Sequence, residues 1–246
     1  MSGSGKPLVW ITRPQPGADR TAQAVEAAGF EPLVLPLTEV SACDPDIDMD
    51  EAERAGFVAV TSGNAIRLAP MPLLQLLKEK TVYTVGDATR AEAEMRGFAH
   101  VVSARGAVDN LVALIAGREK PGAEGLYLCG RRRTGDLEGK LSAKGISCRI
   151  AEVYATHSVS QSTHNLKAAL TRRRPDAILF HSVLSAHAFS DLATEVNAQV
   201  FEKTLFFPLS KRIAQALPDW AGARVTVAMS PDEENLLAAL RAAFAF

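Results

Sequence analysis

Val58-Ala59-Val60-Thr61-Ser62 returns 120 residues later as Ile178-Leu179-Phe180-His181-Ser182. In both copies an apolar run ends in a small hydroxyl residue. That is the pattern of a strand buried on both faces that gives way to a helix, whose first free N–H groups the hydroxyl can cap. Order is kept around the pair: Thr89, in its helix-opening turn, corresponds to Ser210, and Asn110-Leu-Val-Ala-Leu114 corresponds to Asn235-Leu-Leu-Ala-Ala239. Other segments match in the opposite sense. Leu8-Val-Trp-Ile11, a helical stretch and Gly29 resemble Leu126-Tyr-Leu-Cys129, a helical stretch and Gly145.

A duplicated unit with circular permutation accounts for both senses. β-rich runs at 8–12, 32–37, 57–61, 81–85, 100–103, 126–129, 148–154, 177–181, 204–208 and 224–228 alternate with helix-period stretches, the pattern of parallel sheets covered by helices. The expected fold is α/β, with two similar parallel-sheet lobes of five strands each, helices on both faces, and two connecting strands. Lobe 1 is discontinuous, residues 1–37 plus 158–246; lobe 2 is inserted, residues 40–154; the connections are 37–40 and 154–158. Gly29, Gly97 and Gly145 follow helical runs and are expected in the left-handed position after a helix end.

With 246 residues, 47% of them hydrophobic, the chain can bury two cores. Its 27 basic and 28 acidic side chains leave a net charge of -1, so no overall field draws nucleic acid or an anionic membrane. Cys43, Cys129 and Cys148 are odd in number and irregularly spaced, which fits a reducing compartment. Residues 1–6 are small and polar, and the apolar run after them is too short for a signal core or a membrane span. A cytoplasmic protein without membrane association is expected.

In open parallel sheets, ligands bind beyond the carboxyl ends of the strands, where helix N-termini offer unpaired N–H groups to anions. The residues standing there are Thr12 and Arg13, Thr61, Ser62 and Asn64, Gly86 and Thr89, Arg131, Ser182 and Ser210, and these are the candidate binding residues. Each hydroxyl alone is an ordinary helix cap; gathered along lobe edges that face a shared cleft, they could hold carboxylates without a large net charge. Arg131 is preferred within Arg131-Arg132-Arg133 because it lies nearest the strand, whereas Arg172-Arg173-Arg174 suits a helix C-terminus. Among the five histidines, His181 alone is kept as a functional candidate. No metal-ligand spacing joins His100, His157, His164, His181 and His187, and no phosphate-binding glycine fingerprint occurs, so no cofactor is expected. Tyr154, aligned with Thr38 at the second crossing between lobes, is the candidate chemical participant, set against a packing role at the junction.

Ile11-Thr-Arg-Pro14, Val60-Thr-Ser-Gly-Asn-Ala65, Val85-Gly-Asp-Ala-Thr89, Glu152-Val-Tyr-Ala-Thr156 and Leu209-Ser-Lys-Arg-Ile-Ala214, in this order and spacing, resemble uroporphyrinogen-III synthase over nearly the whole length. The resemblance implies two α/β lobes joined by a pair of strands, the first built from both ends of the chain. It implies an enzyme of haem biosynthesis that closes hydroxymethylbilane, a linear tetrapyrrole with eight carboxylates, to uroporphyrinogen III. Water is lost and the last ring inverted through a proposed spiro intermediate, with no redox or metal step. Carried over residue by residue, it puts the implicated tyrosine on Tyr154, the glycine-and-threonine turn on Gly86 and Thr89, and hydroxyl turns on Thr61, Ser62, Asn64 and Ser210. Ser182-Val-Leu-Ser185 keeps the first serine of the family's turn at that point and lacks the proline often found there. A monomer is expected, with closure of the lobes on substrate and a transient contact with the preceding pathway enzyme. The alternative is a non-catalytic two-lobed cytoplasmic protein that binds a small polycarboxylate.

Overall fold

The computed structural model describes residues 5–133, 135–159, 170 and 173–244. His164 and Arg172 lie outside the described residues. Strands β1 (Leu8–Ile11), β2 (Glu31–Val34), β3 (Thr38–Ala42), β4 (Phe57–Val60), β5 (Thr81–Thr84), β6 (Val101–Ser103), β7 (Glu124–Gly130), β8 (Ser147–Ser158), β9 (Ala177–Phe180) and β10 (Leu205–Pro208) alternate with helices. Among the described residues the α-helices with defined bounds are α1 (Gly17–Ala27), α2 (Met49–Arg54), α3 (Gly63–Leu68), α4 (Met71–Leu76), α5 (Asp87–Met95), α6 (Val108–Ala116), α7 (Leu137–Ser142), α8 (Val183–Val196), α9 (Lys211–Ala214) and α10 (Glu233–Ala243). The chain folds into two compact units, Met1–Glu39 with His157–Phe246, and Val40–Thr156. It passes between them within β3 and again within β8.

The first unit holds a four-stranded sheet in the order β10-β9-β1-β2, each neighbouring pair parallel. Every residue of β1 and β9 is buried, because helices cover both faces of a central parallel strand. Side chains alternate between two cores: Val9 and Ile11 face one with Phe30, Phe207 and Leu236, while Trp10 faces the other with Phe180, Phe189 and Phe206. In this second core the Phe189 ring meets Phe201 edge-on at 5.0 Å and Phe180 at 5.3 Å. Such pairs add about 0.5–1.5 kcal/mol each beyond their area. The Trp10 indole N–H is satisfied by the Leu35 carbonyl at 2.7 Å.

The second unit holds a six-stranded sheet in the order β3-β8-β7-β4-β5-β6, parallel from β8 through β6. Its cores lie on either face of β4, with Val58 and Val60 on one side and Phe57 and Ala59 on the other. Gly125 is set opposite Phe57, where a Cβ would stand 2.3 Å from the ring, so the close approach of β7 to β4 requires glycine.

The expected five strands per lobe are corrected to four and six. Residues 224–228 form no strand. Val225 makes a single bridge to Phe206, and the Thr226 and Ala228 N–H groups bond Phe206 and Pro208. The reciprocal bond from residue 208 cannot form, because proline has no N–H, and the ladder stops. The missing strand appears instead in the second unit: β3, expected as part of a connection, pairs with β8, and the Cys43 N–H extends the contact to Val153. Gly29, Gly97 and Gly145 take φ of 93°, 86° and 73°, as expected after helix ends. Among the described residues no helix is long and apolar enough to cross a membrane.

Candidate active site

In the second unit, the turn from β4 into α3 carries Thr61 and Ser62; a tyrosine of β7 reaches it, and a tyrosine of β8, the next strand, stands nearby. Tyr127, on β7, stands in register with Ala59, and its hydroxyl lies 2.8 Å from Thr61 Oγ1. Tyr154, on β8, pairs with Gly130 just after a register shift at Cys129/Gly130. Its ring lies over Gly130, where a Cβ would be 2.6 Å from two ring carbons and 3.0 Å from the hydroxyl, and Ser62 is close enough to act on its titration. Thr61 therefore fixes one phenol, and Gly130 seats the other.

Burial raises the pKa of Tyr154, against the opposing effect of Ser62, and burial pushes Tyr127 up to about 12. Both phenols are protonated at neutral pH and can donate. Ser62 also caps α3, accepting from the Asn64 N–H at 3.3 Å, and the Asn64 side-chain carbonyl accepts from Arg67 Nη2 at 2.5 Å. Gly86 caps α5 with nothing within 4 Å of a Cβ built on it, so the space above it is open, and Thr89 is buried one turn on.

Within the arginine tract, Arg133 is tied to Glu152 at 2.7 Å and Glu138 at 3.1 Å, a structural pairing. Arg131 is exposed, its guanidinium 3.9 Å from Glu152, while its backbone N–H donates to the Tyr154 carbonyl at 2.9 Å. Arg173 pairs with Glu31 and donates to the Lys6 carbonyl.

In the first unit the hydroxyls differ in their freedom. Thr12 is fully buried and donates to the Leu179 carbonyl at 2.7 Å, stitching β1 to β9. Ser182 caps α8 by accepting from the Ser185 N–H at 3.1 Å, so the turn without proline closes as an ordinary cap. Ser210 precedes α9 and makes no side-chain cap bond.

A charged cluster forms at the ends of β1 and β9. Arg13 Nη1 is 3.3 Å from both Thr21 Oγ1 and Glu233 Oε2, and His181 Nε2 donates to the same Glu233 oxygen at 3.1 Å. Burial would raise the Glu233 pKa, but His181, Thr21 and Arg13 together hold it down at about 2. Burial lowers the pKa of His181 more than Glu233 raises it, so the pair is a carboxylate and a neutral imidazole. Burial also lowers the pKa of Arg13, against the pull of Glu233. Among the described residues no group of three His, Cys, Asp or Glu is placed to hold a metal.

Thus Thr61, Ser62 and Asn64 share the turn that Tyr127 reaches, and Arg13 and His181 are joined through Glu233. Sequence reasoning passed over Tyr127 and Glu233. Tyr127 lies inside an apolar strand, and its one signal is a polar tip two residues after a buried glycine. Glu233 follows a helix-capping Asp232, where an acid is the common choice.

A family model described as uroporphyrinogen-III synthase HemD matches residues 19–238. No curated protein matches. Two solved structures share the fold: a uroporphyrinogen-III synthetase from Helicobacter pylori, with TM-score 0.61, 17% identity and coverage of 98% of this chain and 99% of that one, and a mutant uroporphyrinogen III synthase from Thermus thermophilus, with TM-score 0.53, 15% identity and coverage of 97% and 99%.

Proposed function

The chain belongs to the uroporphyrinogen-III synthase family, and we propose that it performs the family's reaction at the strand-end turns described above, with Tyr154 meeting the reacting end of the substrate. The reaction is the dehydrating closure of hydroxymethylbilane to uroporphyrinogen III in haem biosynthesis. Its substrate brings many carboxylates, and the turns at Thr61, Ser62, Asn64, Gly86 and Thr89, at Arg131, and at Arg13, Ser182 and Ser210 are proposed to receive them through backbone N–H groups, hydroxyls and the two guanidinium groups; Thr12, expected among them, is fully buried and bonded to Leu179 and is left out. Holding a flexible chain in its closing geometry supplies a large share of the acceleration.

The observation that carries the role of Tyr154 is its placement on β8, with the ring and hydroxyl seated on Gly130. A leaving hydroxyl needs a proton, and a protonated phenol within hydrogen-bond reach can supply it. Ring closure at a pyrrole carbon then releases a proton, which restores the phenol, so the cycle balances without a cofactor. A cytoplasmic monomer is part of the same proposal.

Freshly generated hydroxymethylbilane, incubated with the purified chain, should yield isomer III, whereas uncatalysed closure yields isomer I. Product consisting of isomer I alone would overturn the proposed reaction. Tyr154→Phe should lower turnover and raise the share of isomer I; wild-type turnover and isomer ratio would remove Tyr154 from the chemistry.

A further inference from the structure

The Arg13–Glu233–His181 cluster is expensive to bury and poorly explained by stability alone. It draws residues from the end of β1, the end of β9 and the first turn of α10, and leaves two buried atoms, His181 Nδ1 and Glu233 Oε1, without a hydrogen-bond partner among the described residues. Native interiors keep few such atoms, and buried ion pairs are often no more stabilising than apolar replacements. The members are graded in depth: His181 is 7% exposed at its side chain, while Arg13 and Glu233 are 28% and 35% exposed. The guanidinium lies against Gly17, where a Cβ would come within 2.5 Å of Nε and 2.8 Å of Nη2. Nη1 is occupied by Thr21 and Glu233, and the Nε and Nη2 donors have no partner among the described residues. Two parallel N–H donors of a guanidinium match a carboxylate.

Resting on the reaction proposed above, we propose that Arg13 grasps one substrate carboxylate through Nε and Nη2, and that Glu233 and His181 are positioning residues that hold the guanidinium for it. His181 fixes Glu233 and Glu233 fixes Nη1, which leaves Nε and Nη2, the atoms on the Gly17 side, unpaired for the ligand. The absence of a side chain at Gly17 leaves room for the guanidinium.

The test measures KM and kcat with hydroxymethylbilane for the wild type, Arg13→Ala, Glu233→Gln and the double variant, with thermal melts as the check on folding. Each single change should raise KM about tenfold or more, the loss expected of one charge-assisted bond, with a smaller effect on kcat. The double variant should be no worse than Arg13→Ala alone, because Glu233 acts through Arg13. Effects that multiply in the double variant, or an unchanged KM in Glu233→Gln, overturn the proposal. If Arg13→Ala fails to fold, Gly17→Ala serves in its place, since it displaces the guanidinium while every charged group is kept. It should also raise KM, and unchanged KM in both Gly17→Ala and Glu233→Gln overturns the proposal. Isomer III from the wild type with a KM indifferent to these changes sinks this proposal alone; isomer I alone from the wild type sinks the reaction and the proposal with it.

Discussion

Replacing Gly130 by alanine should disable Tyr154 without touching it. The added methyl would stand 2.6 Å from Cε2 and Cζ of the ring and 3.0 Å from the hydroxyl, whereas carbon atoms in contact prefer about 3.5–4.0 Å. The ring must therefore move by about 1 Å. Gly130 is not among the glycines with positive φ, so alanine suits the backbone and the collision is the whole perturbation. The strand cannot slide to relieve it, because the Tyr154 carbonyl is held by the Arg131 N–H at 2.9 Å. A misplacement of about 1 Å costs on the order of 100-fold in rate, and overpacking costs about 1–3 kcal/mol of stability. Turnover of hydroxymethylbilane, with isomers I and III resolved by chromatography, and a thermal melt by circular dichroism read the two effects separately. Turnover should fall roughly 100-fold and isomer I should rise. Adding Gly130→Ala to Tyr154→Phe should slow the enzyme no further. A Gly130→Ala protein that turns over at close to the wild-type rate would refute the claim that the seat of the ring matters.

Gly125→Ala drives a methyl into the buried Phe57 ring, far from any proposed contact; its Tm should fall by about 2–4 °C per kcal/mol, for a cost of about 1–3 kcal/mol, and an unchanged calorimetric Tm would contradict the packing. Phe189→Ala removes a ring that contacts Trp10, Phe180, Phe201, Phe206 and Trp220, and urea titration should show a loss of about 3–5 kcal/mol. Because burial keeps the folded His181 pKa below 6.5, the unfolded chain takes up that proton first and stability falls as pH drops below 6.5. Glu233 acts in the same direction lower down, its contribution present above 4.5 and lost as pH falls toward about 2; His181→Asn should flatten the upper part of this slope in urea midpoints taken across it. Burial pushes the thiols of Cys129 and Cys148 up to about 12, so a thiolate-seeking reagent at mildly alkaline pH should leave both unmodified in the native protein and react with them after denaturation.

The sheets were legible because Leu8-Val-Trp-Ile11, Phe57-Val-Ala-Val60 and Ala177-Ile-Leu-Phe180 are apolar on both faces, a pattern that only a covered parallel strand explains. The division into four and six strands was not legible. It turns on one missing N–H at Pro208 and on Thr38-Glu-Val-Ser-Ala42, whose half-exposed, polar makeup reads as a connection. The hydroxyls at strand ends were visible as types, but composition cannot say which are engaged: Thr12 is bound up in the sheet, whereas Ser210 makes no side-chain cap bond. Tyr127 and Thr61 are 66 residues apart and meet only because β7 lies beside β4. Glu233 is drawn to His181 across 52 residues by the same kind of long-range pairing.

The split first unit has a consequence for biosynthesis. β1 lies between β2 and β9, and β9 begins 166 residues after β1 ends. At roughly 5–20 residues per second, a ribosome needs on the order of ten seconds or more to supply that partner. Val40–Thr156 emerges complete in the meantime and can fold as a unit, while Leu8-Val-Trp-Ile11 waits with an open edge and uncovered faces. The nascent chain therefore holds its first strand as an adhesive end until β9 has been made, and that interval is when a holding chaperone would have most to do.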